Sequence, residues 1–518
     1  MIRSSLAAAV SLAALAIAGC ATTGSGAMSE PAPSANAVMP VQAQDSYYAK
    51  AHAAVEARAA DRGFSRAKNV ILFIGDGMGI STITAARIYT GQAHGVDGES
   101  YQLSMEKLPY SAFSKTYTHD AQVADSAPTA TAMTTGVKSW NGTLGVTQGI
   151  DPNKCESAKT NTTQTLWEIA EDAGLSTGVI STARLTHATP AATYAKTTER
   201  DWERDSDVSA AGKAAGCLDI ASQFINWNHG DGFDVVLAGG RTQFLPNNTP
   251  DPEYPTINGG RADGRNLMNE WKAKGANRTV VTDKAGFDAF DWNGNGQILG
   301  LFEPSHMRYD ADRVELDGKG EPSIAEMTTA AIKRLGKNDK GYVLMVEGGR
   351  IDHGSHDGNA FHALTDAKAL DEAVAAAVAT AGPDTLIIVT ADHSHTLVIQ
   401  GYPGRNNPIL GLARYPANGE LLLGADDKPY ATLSYANGPG TVCNESADVW
   451  KCERDDLTET DTTNPGFRQP ALMPLSSETH GGEDVAIFAG GPGANLFSGT
   501  VEENEIFHVM AKSLGLVK

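Results

Sequence analysis

Three short stretches of the chain place carboxylates and imidazoles directly behind apolar, β-branched runs. Asn69–Ile74 leads into Gly75-Asp76-Gly77-Met78-Gly79, and Thr385–Thr390 leads into Ala391-Asp392-His393-Ser394-His395. Tyr342–Val346 leads into Glu347-Gly348-Gly349-Arg350-Ile351-Asp352-His353-Gly354-Ser355-His356. One acid after a strand is usually a helix cap or a turn residue. Three clusters that mix Asp or Glu with His, all delivered to one rim of a sheet, point instead to metal binding. Mixed carboxylate–imidazole ligation suits zinc, and acids held this close need a cation between them. Asp352 and His356 are one helical turn apart and could share one ion. Asp392 and His393 could hold a second, with Asp76 placed to bridge, and Glu347 is a hard oxygen ligand suited to magnesium.

A nucleophile is offered by Val123-Ala124-Asp125-Ser126-Ala127-Pro128-Thr129-Ala130-Thr131-Ala132. Pro128 and the small helix formers after it predict a helix that starts at or just after Ser126. A serine there is commonly only a cap. The same position also favours an anion, which would suit a serine that attacks phosphorus.

Positioning these groups requires strands whose carboxyl ends share one edge. Further buried strands are predicted at Thr177–Ser181, Asp234–Ala238 and Val485–Ala489, with helical patterns between, such as Thr165–Ala173 and Asn359–Thr380. This alternation predicts an α/β fold, a doubly wound parallel-type sheet with helices on both faces, and ligands in such sheets sit beyond the carboxyl ends. Residues 45–62 read as one helix before the first strand. Residues 401–475, rich in Gly, Pro and Asn, read as an inserted, crown-like surface subdomain within a domain spanning 45–518.

Lys and Arg total 41 against 62 Asp and Glu, a net charge of −21, and no basic run occurs, so there is no nucleic-acid-binding signal. Arg3, the apolar run Leu6–Ile17 and Ile17-Ala18-Gly19-Cys20 read as a lipoprotein signal over 1–19 with a lipidated Cys20; a plain secretory signal is the alternative. Residues 20–44 read as a flexible tether. Ala21 is not the Asp expected for inner-membrane retention, which points to export to the outer membrane. Four cysteines remain. The economical pairing is Cys155–Cys217 with Cys443–Cys452, although three connectivities are open.

Six motifs resemble the alkaline phosphatase family: DGMG at 76–79, ADSAPTATA at 124–132, HATPAATYA at 187–195, VEGGRIDHGSH at 346–356, TADHSHT at 390–396 and ETHGGEDVAIFA at 478–489. The likeness spans roughly residues 65–515. It implies the doubly wound fold and hydrolysis of phosphate monoesters through a phosphoserine, with two zinc ions and one magnesium. By this resemblance Ser126 is the nucleophile and Arg200 clamps phosphate. Asp352, His356 and His480 hold one zinc, and Asp76, Asp392 and His393 hold the other. Asp76 also reaches the magnesium, with Thr189 and Glu347.

His187 and His353 make the chain resemble the vertebrate tissue-type branch rather than a bacterial branch with Asp and Lys there. His187 is expected to act on magnesium through water, and His353 to contact phosphate or its waters. His395 is expected to be structural. His306 and the remaining histidines carry no motif signal. The same branch implies a calcium site at Glu253, Phe302, Glu303 and, after a one-residue gap, Asp317. Asp291-x-Asn293-x-Asn295-Gly296 reads as a polar turn rather than a calcium loop. The helix at 45–62, the inserted region and Tyr402 match parts that pack across a homodimer. A phosphodiesterase or sulfatase of the same superfamily is the alternative enzyme. The non-enzymatic alternative is a phosphate- or metal-binding lipoprotein. Ser126-Ala127-Pro128-Thr129 lacks the Arg of a sulfatase setting, and Arg200 favours a monoester dianion.

Overall fold

The computed structural model describes residue 34 and residues 37–315, 320–441, 443–446 and 449–518. Ten strands form the central sheet: β1 Asn69–Gly75, β2 Tyr110–Lys115, β3 Ser176–Arg184, β4 Val235–Gly239, β5 Arg278–Val281, β6 Gln297–Leu301, β7 Tyr342–Gly348, β8 Thr385–Ala391, β9 Val485–Gly490 and β10 Thr500–Glu502. Their spatial order is β10-β2-β9-β8-β1-β7-β3-β4-β6-β5. From β8 to β5 every pairing is parallel. β9 is antiparallel to both β8 and β2, so the sheet is mixed at that end rather than wholly parallel.

β1 is buried along its whole length because both faces are covered. Val70, Leu72 and Ile74 join the core on one face, under helices Ser46–Arg62, Ser126–Thr135 and Glu505–Leu514. Ile71 and Phe73 join the core on the other, under helices Ile80–Ala93, Ile324–Leu335 and Ala360–Thr380. Each such side chain contributes about 1.5–3 kcal/mol of burial. Helix starts follow capping chemistry: Thr165 with Glu168 and Ser323 with Glu326 form reciprocal capping boxes.

Two expectations shift. The tether does not run to residue 44. Val38 pairs with Val517, and the buried Gln42 donates to the carbonyls of Thr135 and Gln164 at 2.9 and 2.8 Å. A side chain that satisfies two otherwise unpaired carbonyls docks this stretch onto the body. The inserted region also begins earlier than 401, because Leu397–Ile399 pairs with Leu433–Gly438, which pairs in turn with Ala471–Pro474. Cys155 and Cys217 form a disulfide. Cys443 and Cys452 are register partners across a two-stranded ribbon; their side chains, Cys20 and the signal segment lie outside the described residues.

Candidate active site

The rim forms where β1, β7 and β8 end side by side. Ile74 is level with Glu347 on one side and Thr390 on the other, so Asp76 and Asp392 emerge at one height, with Glu347 two residues below them on β7. The turn after β1 needs glycine: Gly77 has φ +66°, and a Cβ there would lie 2.3 Å from the His395 ring. Its N–H donates to Asp392 Oδ1 at 3.0 Å, tying two strand ends together. The helix Arg350–His356 starts directly from β7 and stacks Asp352 over His356, as their spacing predicts.

Three groups of metal-ligating atoms lie close together among the described residues: Asp352, His356, His395 and His480; Asp76, Asp352 and His393; and Asp76, His187 and Glu347. In the first, His356 Nε2 lies 3.2 Å and His480 Nε2 3.5 Å from Asp352 Oδ1. In the second, His393 Nε2 lies 3.4 Å from Asp76 Oδ1, and Asp392 Oδ2, outside that group, lies 3.5 Å from the same nitrogen. The third joins Asp76, Glu347 and His187. The first two adjoin, with the His393 and His480 rings stacked at 3.6 Å. Ser126 is buried at the start of the helix Ser126–Thr135, its Oγ 3.1 Å from His393 Nε2 and 3.4 Å from Asp76 Oδ1. Asp125 caps that helix by accepting from Ala127 N–H and also takes Arg200 Nη1 at 3.1 Å. Arg200 Nη2 lies 3.1 Å from His187 Nε2.

The electrostatics show what is missing. Burial, then the neighbouring Asp392, Asp352 and Glu347 charges, pushes Asp76 well above the usual carboxylate range. Burial pushes Glu347 up to about 7 and raises Asp392. Asp76 Oδ2, Asp392 Oδ2, Glu347 Oε1 and Thr189 Oγ1 are buried without a hydrogen-bond partner. Orphaned acceptors facing one another fit divalent cations and fit little else. His353 is driven down to about 3, first by burial.

His395 is held between Asp352 Oδ1 at 2.8 Å and Glu478 Oε2 at 2.5 Å, which raises it to about 10 against the opposing effect of burial. Its two nitrogens lie against carboxylates of Asp352 and Glu478, and it stands in the same group of metal-ligating side chains as Asp352, His356 and His480. Glu478 was not singled out from sequence, although it opens a quoted motif. Ser181, which hydrogen-bonds Glu347 Oε2, and His306, whose ring is 4.0 Å from that of His353, carried no signal.

The expected calcium residues are placed differently. Glu253 is engaged by the buried Arg241 at 2.9 Å, and Glu303 accepts from Tyr254 and Arg308 at 3.0 and 3.3 Å. Phe302 is buried beside them. Asp317 lies outside the described residues. Among the described residues Glu321 also lies near Glu303: burial, then the Glu303 charge, raises it to about 8, and its Oε2 is orphaned. The signal for it was Glu321-Pro322-Ser323, just ahead of a capping box. Asp291 Oδ1 accepts from Asn293 N–H at 3.0 Å in a local polar turn.

The alkaline phosphatase family model matches residues 67–516. The chain belongs to the alkaline phosphatase family. It is 44% identical over 452 residues to the tissue-nonspecific alkaline phosphatase of Gallus gallus, covering 86% of this chain and 84% of that protein. It is 43% identical over 453 residues to the alkaline phosphatase of Gadus morhua, covering 86% and 91%. Solved alkaline phosphatases from the Antarctic bacterium TAB5 and from Thermus thermophilus share the fold. Their TM-scores are 0.57 and 0.60 at 22% and 24% identity, and they cover 87% and 88% of this chain and 98% and 92% of theirs. The chain is thus an enzyme of the alkaline phosphatase class with clustered metal-ligating residues on its sheet rim.

Proposed function

We propose that this alkaline phosphatase is exported and hydrolyses phosphate monoesters through a phosphoserine on Ser126, at a site for two zinc ions and one magnesium. The observation that carries the reading is the set of orphaned oxygens around Ser126, on Asp76, Asp392, Glu347 and Thr189. Asp352, His356 and His480 would hold one zinc. Asp76, Asp392 and His393 would hold the other, and Asp76, Thr189 and Glu347 the magnesium, with His187 beside it. When bound, these ions supply Lewis acidity to the phosphoryl oxygens and to the reacting hydroxyl and water.

The chain's own groups do the rest. The Arg200 guanidinium presents a planar fork to phosphate oxygens, oriented by Asp125. The helix that starts at Ser126 directs its free N–H groups at the same anion. Ser126 Oγ forms a bond to phosphorus as the bond to the departing alcohol oxygen breaks; water then attacks the phosphoserine, releases phosphate and restores the hydroxyl. His353 lines the phosphate side of the pocket.

Calcium at Glu253, Phe302, Glu303 and Asp317 is part of the proposal, with Glu321 as a further carboxylate near Glu303. So are a lipid on Cys20, an outer-membrane location and a homodimer through the inserted region, where Tyr402 is 88% exposed. No helix among the described residues is long and apolar enough to cross a membrane. The deciding experiment is turnover of a chromogenic monoester and diester with metal analysis of the same sample. Monoester turnover that rises above neutral pH, with zinc and magnesium present, is expected; a preference for the diester, or no turnover in fully metallated protein, sinks the reading.

A further inference from the structure

The three residues ahead of Ser126 serve the site three times over. The Ala124 carbonyl accepts from His480 Nδ1 at 2.7 Å, which puts the imidazole proton on Nδ1 and leaves Nε2 for the first ligand group. The Asp125 carboxylate holds Arg200 Nη1 at 3.1 Å. The same carboxylate caps the nucleophile helix through Ala127 N–H at 2.7 Å. Val123–Asp125 belongs to no strand or helix; Ala124 is buried but Val123 is 42% exposed, so hydrogen bonds must supplement packing at the ends of this segment.

One side chain bonds both of those ends. Asn141 Nδ2 donates to the Val123 carbonyl at 3.2 Å, and Asn141 Oδ1 accepts from Asp125 N–H at 3.3 Å. The carboxamide thus closes over both ends of the tripeptide. Asn141 is itself fixed, its N–H donating to Asp120 Oδ1 at 2.9 Å. The next residue completes the buckle: Gly142 N–H donates to Asp125 Oδ2 at 2.5 Å, and the Gly142 carbonyl accepts from Arg200 N–H at 2.8 Å. Gly142 sits at φ +79°, a turn that puts its two peptide groups on opposite partners.

We infer that Asn141 is a positioning residue, whose carboxamide clamps Val123–Asp125 and so holds the Arg200 guanidinium and the His480 imidazole in register with Ser126. This rests on the reading that Arg200 binds phosphate and His480 holds a metal. The task needs a donor and an acceptor on one short, planar group. Leucine matches the shape and offers neither; glutamine keeps both on a longer stem.

The test uses metal-loaded wild type, Asn141→Leu, Asn141→Gln and, as a stability control, Asn266→Ala, which removes the cap of the remote helix Leu267–Ala273. Each is measured for kcat and KM on a monoester, inhibition by inorganic phosphate, zinc release to a chelator, and Tm. Asn141→Leu is expected to raise KM and the phosphate inhibition constant together by about fivefold, with kcat within about twofold, and to speed zinc release. Asn141→Gln should recover part of both effects, and Asn266→Ala should show neither at a comparable loss of Tm. Unchanged phosphate inhibition and zinc release in Asn141→Leu overturns the inference, as does a change that Asn266→Ala reproduces. If wild type binds phosphate and zinc but turns over no monoester, the functional reading fails instead. Direct phosphate binding and zinc release on the same variants then still decide the role of Asn141.

Discussion

Two regions of this protein gather acids, and they handle the charge in opposite ways. On the rim, Asp76, Glu347, Asp352 and Asp392 crowd together, and the one nearby guanidinium, Arg200, is already paired with Asp125. Several of their oxygens are left without any partner. In the pocket beside β6, Asp251 and Glu253 are matched by Arg241 at 2.7 and 2.9 Å, and Glu303 by Arg308 at 3.3 Å. Only Glu321 Oε2 is orphaned there. A cluster that carries its own cations is part of the fold with or without an ion. A cluster whose one guanidinium is already paired cannot be fully charged without further cations, and it is where the proposed chemistry lies.

The largest effect should come from separating chemistry from metal on the rim. Ser126→Ala removes the attacking oxygen and leaves every proposed ligand in place, so zinc and magnesium content should match wild type. Turnover should fall by about a thousandfold or more, with no labelled phosphate trapped on the protein after acid quench. Label recovered on another residue would refute the assignment.

The opposite experiment belongs in the pocket. Arg241 and Asp251 are both fully buried, and Asp251 is held below the usual carboxylate range by Arg241 against the effect of its burial. Arg241→Met strands a buried carboxylate and should cost about 3–5 kcal/mol of stability, read as a fall in the denaturation midpoint. Activity per folded, metallated molecule should be unchanged. A loss of activity larger than the loss of folded protein would mean that the two regions are coupled, and the contrast between them would fail.

The same contrast explains what could be read from sequence. The rim was legible because its acids follow β-branched runs at fixed places, and strand ends put them together whatever the loops do. The helical spacing of Asp352 and His356 and the helix start at Ser126 are equally local. In the pocket the resemblance reached Glu253, Phe302 and Glu303, but their partners Arg241, Arg308 and Glu321 were not legible, because they meet them through the connections between β4 and β7, where spacing carries no geometry. Asp317 lies outside the described residues, and Glu321 is a buried acid near Glu303 that sequence reading did not single out. The antiparallel entry of β9 and the short outer strands β2, β5, β6 and β10 were missed or misdirected for a related reason: strand direction is set by chain path, not by a residue pattern. Residues 37–44 looked like tether by composition, yet Gln42 finds two carbonyls to bond.

A smaller effect tests the orphan in the pocket. If Glu321 completes a calcium site with Glu253 and Glu303, added calcium should raise the Tm of wild type by a few degrees through binding to the folded form. Zinc and magnesium are held constant. Glu321→Gln should lose most of that response, as should Glu303→Gln. An equal calcium shift in wild type and both variants would remove the site from the account and leave the pocket as a purely internal ion-pair network.

The last effect, read as a change of slope with pH rather than as an absolute loss, concerns a third acid that has neither a metal nor a guanidinium. Glu171 is buried, accepts from the Thr177 hydroxyl at 2.6 Å, and is pushed up to about 9, chiefly by burial and then by the Asp234, Asp231 and Asp172 charges. The folded protein therefore holds a proton there that the unfolded chain releases near its ordinary value of 4.5. Below that value both states are protonated, and the neutral carboxyl contributes its full stability. As pH rises from there towards 9 the folded state binds the extra proton, so stability falls by up to about 1.4 kcal/mol per pH unit from this group alone. Glu171→Gln keeps an acceptor for Thr177 and removes the titration. Its Tm relative to wild type should therefore increase from pH 5 to pH 9, measured on metal-loaded protein at constant ionic strength. A difference that is flat with pH would mean that Glu171 is ionised in the fold, and that an acid buried without a cation is tolerated away from the rim as well.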